Sequence, residues 1–346
     1  MDKVTSVQFI AILMCSKLFT IMTYMPSEGE NGILYNISVI AVTMLMMLFV
    51  IPAVVFYKKT YGRDIVYSKP ANFYYFLLSF IAIINIIGDL LFFLQYCFSD
   101  TYAYWAIIIV VSAAVFYITS HKLKTFARVS GIILTFIIFV ILIVICGFMH
   151  YIDFAQLNIA VKDPFHNVSK AIPKVVSSSY ELIAFVILLG NIKNSPAKTI
   201  YWYLGIQAAV TVLITLAIYI TLGDYAYLSK LPFFSLSAFS ATRIIEHYEA
   251  VFMLIWTLAA LIKISLFTIC ANKCISKIIP NVKSNIRSAI ILIASGLVTL
   301  LLILFTNWEK YKFENLKSVL IIIGVFVIPL FMLIFRNKKH PKEEIQ

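Results

Sequence analysis

Residues 129–149 read VSGIILTFIIFVILIVICGFM, a run of twenty-one residues without a charged side chain. A stretch of this length and apolarity crosses the roughly 30 Å hydrocarbon core of a bilayer as one α-helix. Comparable stretches recur at residues 7–25, 33–57, 72–96, 103–119, 174–192, 199–222, 249–271, 288–306 and 317–335. The sequence therefore predicts an all-α membrane protein with about ten transmembrane helices.

The composition of the whole chain indicates the same class of protein. Of its 346 residues, 62% are hydrophobic and only 13% are charged, whereas a typical soluble domain has about 25% charged residues. This balance excludes a soluble enzyme, a disordered chain and a disulfide-rich scaffold. The five cysteines lie mostly inside apolar stretches, and the ligand spacing of a zinc site is missing. We expect no metal, no cofactor, no nucleic-acid partner and no enzymatic activity.

The net charge of +12 reflects membrane orientation. If the N-terminus is cytoplasmic, eighteen lysines and arginines lie in inner segments and eight in outer segments. Cytoplasmic loops carry such an excess of Lys and Arg, so both termini are predicted to be cytoplasmic. Membrane lipid is then the surrounding partner of the chain, and residues 336–346 form a cytoplasmic tail.

The long break after the fifth span divides the ten spans into two sets of five. The chain is therefore interpreted as one integral membrane domain, 1–346, with inverted halves at about 1–150 and 174–335. An odd number of spans in each half forces the second half to run inverted, as in many secondary transporters, whose ligand sites lie at the repeat interface. Ten spans also occur in other architectures, which stay open.

Two charged residues lie near the middle of predicted spans. Lys17 is about 15 Å into span one and Glu181 about 11 Å into span six, at a rise of 1.5 Å per residue. Charges at such depth are expensive and face the interior of the bundle. We hypothesise that Lys17 and Glu181 pair with each other, or that both face one hydrated cavity.

Other polar residues are expected to serve structure or coupling. Asp89 falls near the outer end of span three, and Lys263 can snorkel from span eight. Glu249, Trp256 and Lys263 recur every seven residues, which puts them on one face of span eight, and that face must meet protein. Just before it, Arg243 and Glu246 are spaced for an ion pair.

Hydroxyl side chains cluster at the end of span one and at the start of span six. Such side chains can satisfy backbone groups that are released where a membrane helix breaks. Neither span has an internal glycine at the candidate break, so broken and unbroken helices both remain open. The hydroxyls in question belong to Thr20, Thr23, Ser178 and Ser179.

Several motifs in this order resemble those of the endospore germination permeases. The region of span eight carries the clearest of them, RIIEHYEAVF at 243–252 followed by IW at 255–256 and IKIS at 262–265. SYE at 179–181, YMPS at 24–27 and LPFF at 231–234 are also similar. The chain thus resembles the B-type (Ger B) subunit of spore germinant receptors, in the amino acid–polyamine–organocation transporter superfamily.

The resemblance implies a ten-helix, permease-like subunit in the spore inner membrane that senses nutrients together with an A-type subunit and a lipoprotein C-type subunit. We hypothesise that it binds a small germinant, an amino acid, and signals to these partners. The hypothesised ligand-binding residues are Lys17, Thr20, Thr23, Ser178, Ser179, Glu181 and Trp256. Alternatives are a stand-alone proton- or sodium-coupled amino acid transporter, and a structural or ion-conducting component without its own ligand pocket.

Overall fold

The computed structural model describes residues 3–26, 31–60, 68–98, 103–149, 152–156, 164–193, 195–239, 248–305 and 314–335. Nearly all regular structure in these ranges is helical, and the exception is an isolated parallel bridge between Val4 and Ile192. The predicted all-α class is confirmed for this part of the chain. The predicted tail, 336–346, lies outside the described residues.

The α-helices run over Ser6–Met22 (α1), Gly32–Phe49 (α2), Ile51–Lys59 (α3), Lys69–Phe98 (α4), Tyr104–Thr119 (α5), Leu123–Phe148 (α6), Pro164–Ser177 (α7), Glu181–Leu188 (α8), Pro196–Leu222 (α9), Tyr225–Leu228 (α10), Pro232–Phe239 (α11), Tyr248–Ile278 (α12), Ser284–Phe305 (α13), Glu314–Ile322 (α14) and Ile328–Ile334 (α15). A π-helical segment, Ile323–Val327, joins α14 to α15. A short 3-10 turn, Leu189–Asn191, continues α8.

Seven of the described helical segments are long and apolar enough to cross a membrane, and a bent pair made of α7 and α8 raises this number to eight. The remaining apolar helices, α1 and α5, are shorter than these, with 17 and 16 residues. The chain is thus an integral membrane protein. Its division into ten spans and two inverted halves stays a prediction.

The centre of the bundle is formed by α1, α4, α8 and α12. α12 packs along α4 and against α1, α5, α6 and α13, and every residue of α8 is buried. A helix that is apolar on all sides is stable only when other helices or lipid surround it. Here the surroundings are protein, whereas large side chains of α6 such as Ile132 (72% exposed) and Phe139 (61% exposed) face outward, where lipid would cover them.

Span six is broken and α1 is not. Between α7 and α8 the chain bends by 40°, over Ser178, Ser179 and Tyr180, whereas α1 continues past Lys17 to Met22. The hydroxyls of Ser178 and Ser179 both donate to the carbonyl of Val175, at 2.8 and 3.0 Å. Side-chain bonds of this kind compete with the helical ladder, so span six breaks without a glycine.

The far end of α8 is tied to the beginning of the chain and to α12. The amide of Val4 donates to the carbonyl of Asn191 (2.9 Å), and the amide of Lys193 donates to the carbonyl of Val4 (2.7 Å). Lys273 Nζ, from α12, donates to the carbonyl of Ile187 (2.9 Å) and to Asn191 Oδ1 (2.8 Å). These bonds fix where α1 begins relative to where α8 ends.

Replacing Lys273 should loosen this end of the bundle. In Lys273→Met the carbonyl of Ile187 and Asn191 Oδ1 lose their donor, and an unsatisfied buried acceptor costs about 1–3 kcal/mol. We expect the free energy of unfolding in lipid to fall by about that amount. We also expect faster amide hydrogen exchange at residues 189–193. The control is Lys277→Met, one turn along α12 on an exposed side chain. Equal stability and exchange in the two variants would contradict this role of Lys273.

Candidate functional site

A cavity of about 430 Å³ opens between α1, α4, α7, α9, α12 and α14. We call it the central cavity. Its polar lining comes from the end of α1, from α2 and α4, from α7 and the α7–α8 break, from α9 and α12, and from the start of α14. The hydroxyl, amide and charged residues among the lining are Lys17, Thr20, Thr23, Tyr24, Tyr35, Asn85, Asp89, Lys174, Ser177, Ser178, Tyr180, Thr211, Thr215, Lys230, Lys263, Glu314 and Lys317.

A buried ion pair lies beside this cavity. Lys263 Nζ of α12 is 2.7 Å from Glu181 Oε1 of α8, and their side chains are 5% and 0% exposed. Ser16 of α1 also donates to Glu181 Oε1, at 2.9 Å, and Lys263 Nζ donates to Thr20 Oγ1. Glu181 is the first residue of α8, where the helix dipole favours a negative charge. The pair therefore joins α1, α8 and α12.

Lys17 is the second buried ammonium of the site. It is 4% exposed, and Nζ donates to the carbonyl of Ser178 (2.9 Å) and to Ser178 Oγ (3.1 Å). That carbonyl precedes the start of α8 and is available because span six is interrupted there. In the part of the chain that the structure describes, no carboxylate lies within ion-pair distance of Lys17.

The predicted burial of Lys17 and Glu181 inside the protein is confirmed, but the hypothesised pair between them is wrong. Glu181 pairs with Lys263, which does not snorkel toward water. On α1, adjacent residues point about 100° apart. As a result Ser16 faces Glu181 while Lys17 faces Ser178. Lys17 and Lys263 line the central cavity, whereas Glu181 lies behind it.

Trp256 is buried, as the seven-residue stripe on span eight predicts, and so is Lys263. The Trp256 ring stacks on Phe93, with ring centroids 3.7 Å apart, and its centroid lies 4.6 Å from that of the Phe19 ring. Phe19 lines the central cavity and Trp256 does not. The expectation that Trp256 forms the cavity wall is therefore wrong, because the side chain of Phe19 lies between Trp256 and the cavity.

The predicted hydroxyl groups divide between the cavity and the helix backbone. Thr20, Thr23 and Ser178 line the cavity. Ser179 does not, because its hydroxyl turns back to the carbonyl of Val175. Asp89, predicted to be structural, also lines the cavity.

Three predicted residues cannot be placed at the site. Arg243 and Glu246 lie outside the described residues. The backbone of Glu249 belongs to α12, but its side chain is likewise outside what is described.

Further lysines line the cavity, and the sequence reasoning treated them only as orientation signals. Lys174 Nζ donates to the carbonyl of Met25 (2.5 Å) and lies 4.7 Å from the centre of the Tyr24 ring. Lys317 Nζ donates to Asn85 Oδ1 at 2.6 Å. Their position at the first residues of predicted spans six and ten was the available signal. In the described ranges no group of His, Cys, Asp or Glu side chains is arranged to hold a metal ion.

A protein-family model described as a spore germination protein, Spore_permease, matches residues 70–311. The match runs from the start of α4 to beyond the end of α13 and so includes Asp89, the α7–α8 break, Glu181 and Lys263. This is a permease-type family and not an enzyme family. No curated protein matches the chain.

The energy of the buried pair can be measured by a double-mutant cycle. Lys263→Met and Glu181→Gln should each lower the free energy of unfolding by about 3–5 kcal/mol, because each leaves the other member buried without its partner. The double variant should lose less than the sum of the two. Chemical unfolding in lipid or mild detergent checks this, with the exposed Lys198→Met as control. Additive losses would show that the two side chains do not depend on each other.

Proposed function

The chain belongs to the spore germination permease family, and we propose that it is the permease-like membrane subunit of a nutrient germinant receptor. In this role it binds a small germinant, an amino acid, in the central cavity and passes the binding signal to partner subunits. The cavity next to the broken span six is the observation that carries the proposal. Its lining combines hydroxyls, released backbone groups and buried charge, and transporters of small solutes bind their ligands at such interrupted helices.

The contacts around the cavity suggest how binding would become a signal. Lys17 connects α1 to the α7–α8 break, and the Glu181–Lys263 pair connects α8 to α12. A ligand that accepts the hydrogen bonds that Lys17 otherwise donates to Ser178 changes the balance between two arrangements of these helices. Binding shifts such an equilibrium only by its difference in affinity for the two states, and the shift is transmitted to any partner that also distinguishes them.

The partners belong to the proposal as well. We propose an A-type membrane subunit and a lipoprotein C-type subunit as the receivers of the signal, in the spore inner membrane, with both termini of this chain in the cytoplasm. The charge distribution between the predicted spans supports this orientation.

Spores in which a Glu181→Gln variant replaces the native chain should respond poorly to nutrient. Loss of the charge leaves Lys263 without its carboxylate and disturbs the contact between α8 and α12. We expect germination to need at least about tenfold more amino acid, measured as loss of optical density and compared between spores matched for the amount of this protein on immunoblots. Spores with Lys198→Gln serve as control. A normal response of the Glu181→Gln spores would contradict the proposed function.

Uptake measurements distinguish the receptor from the transporter alternative. For a receptor subunit, liposomes that contain only this chain should not accumulate labelled amino acid under a proton or sodium gradient. Germination, in contrast, should require the A-type and C-type subunits. Robust uptake by the chain alone would favour a stand-alone transporter.

A further inference from the structure

The buried charges next to the central cavity do not balance. Lys17 and Lys263 are both 4% exposed, and Glu181 is the acidic partner of Lys263. Among the residues that the structure describes, Lys17 donates only to neutral oxygens of Ser178. An ammonium has three N–H donors, so Lys17 keeps one that these bonds do not use. A buried charge without a partner of opposite sign is unfavourable, and an anionic group in the cavity would relieve this.

A charge of opposite sign lines the same cavity on another helix. Asp89 belongs to α4 and is partly exposed. In the described ranges its carboxylate has neither a hydrogen bond nor an ion pair. Glu181 does not take this role because it is fully buried and does not line the cavity, and its Oε1 accepts from Ser16 and Lys263. The cavity therefore presents an ammonium and a carboxylate, each short of a partner.

We propose that the central cavity binds an α-amino acid as its zwitterion, with the ligand carboxylate on Lys17 and the ligand ammonium on Asp89. This inference rests on the proposed function and adds the orientation of the ligand and the two residues that select it. Thr20 and Ser178 place hydroxyls beside Lys17 in the lining. A neutral sugar or nucleoside would leave both charged residues unpaired. A ligand with one charge would leave one of them unpaired.

Glu314 offers an internal comparison for Asp89. It also lines the cavity, but it is the first residue of α14, at the end of a helix, whereas Asp89 is well inside α4. Lys230 is the corresponding comparison for Lys17. It also lines the cavity, but it is exposed, and its Nζ lies 5.6 Å from the centre of the Phe92 ring. Neutralising Glu314 or Lys230 should leave ligand selection as it is.

The test uses the full chain in lipid nanodiscs and measures binding by calorimetry. The twenty common α-amino acids are screened first. The tightest binder is then compared with its α-carboxamide, which lacks the negative charge, and with its α-hydroxy acid, which lacks the positive charge. We expect each analogue to bind the native chain at least about tenfold more weakly. Glucose, a neutral polyol, should bind more weakly than either analogue.

Each variant should lose one kind of discrimination and keep the other. Lys17→Met should bind the amino acid and its carboxamide about equally, yet still reject the hydroxy acid. Asp89→Asn should bind the amino acid and the hydroxy acid about equally, yet still reject the carboxamide. The kept discrimination shows that the variant is folded. Lys230→Gln and Glu314→Gln also change the lining and can shift overall affinity, but each should keep both discriminations. The matched controls outside the cavity, the exposed Lys198→Gln and Asp224→Asn, should bind as the native chain does.

The possible failures are separable. If an amino acid binds but the Lys17 and Asp89 variants keep both discriminations, or lose both together, the assignment of the two residues is overturned and the proposed function stands. If Glu314→Gln, and not Asp89→Asn, loses selection for the ammonium, Asp89 is the wrong residue. Tight binding of glucose overturns the zwitterion. If no amino acid binds the folded chain, the proposed function fails together with this inference.

Discussion

The carboxylate of Glu181 is the constraint on which the centre of this bundle depends. It is completely buried among helices that cross a membrane, where an ionised group without a partner is strongly unfavourable. Three helices meet to stabilise it, because α12 supplies Lys263, α1 supplies Ser16, and α8 supplies its own N-terminal end. Removing any of these contacts also affects the positions of the others, so packing and charge are linked at this point.

The two ends of α8 follow the same physical rule. A short helix has a partial positive charge at its N-terminus and a partial negative charge at its C-terminus. In this protein Glu181 lies at the first end, and Lys273 donates to the carbonyl of Ile187 near the second. Lys17 donates a hydrogen bond to the carbonyl of Ser178, which lies just before α8. Lysines on α1 and α12 thus make an interrupted helix stable inside the bundle, and the interruption gives the central cavity its polar lining.

Sequence reasoning predicted the helical membrane class, the burial of Lys17 and Glu181, and the protein-facing stripe with Trp256 and Lys263. These follow from composition, depth along a helix and period, all of which are local. The partner of Glu181 could not be obtained in this way. Depth gives the height of a side chain but not the rotation of its helix relative to its neighbours. For the same reason the sequence did not predict that Asp89 lines the cavity, because the rotation of α4 about its axis is not a local property.

The break in span six and the place of Trp256 were unpredictable for a related reason. Serine hydroxyls either bond within a continuous helix or end it, and the tertiary contact from Lys17 to Ser178 is absent from any local pattern. Trp256 faces the cavity side of α12, yet Phe19 of α1 covers it. Whether Phe19 or Trp256 lines the cavity is decided by the packing of α1 against α12, two helices that are far apart in the chain.

The order of the charged partners along the chain also matters for biosynthesis. Lys263 follows Glu181 by 82 residues, so at 5–20 residues per second the ribosome adds it about 4–16 s later. During that interval Ser16 and Glu181 have been synthesised, but the lysine that pairs with Glu181 has not. The ion pair that joins α8 to α12 can form only after α12 has been synthesised. The contact between α8 and α12 at the centre of the bundle therefore forms late in the synthesis of the chain.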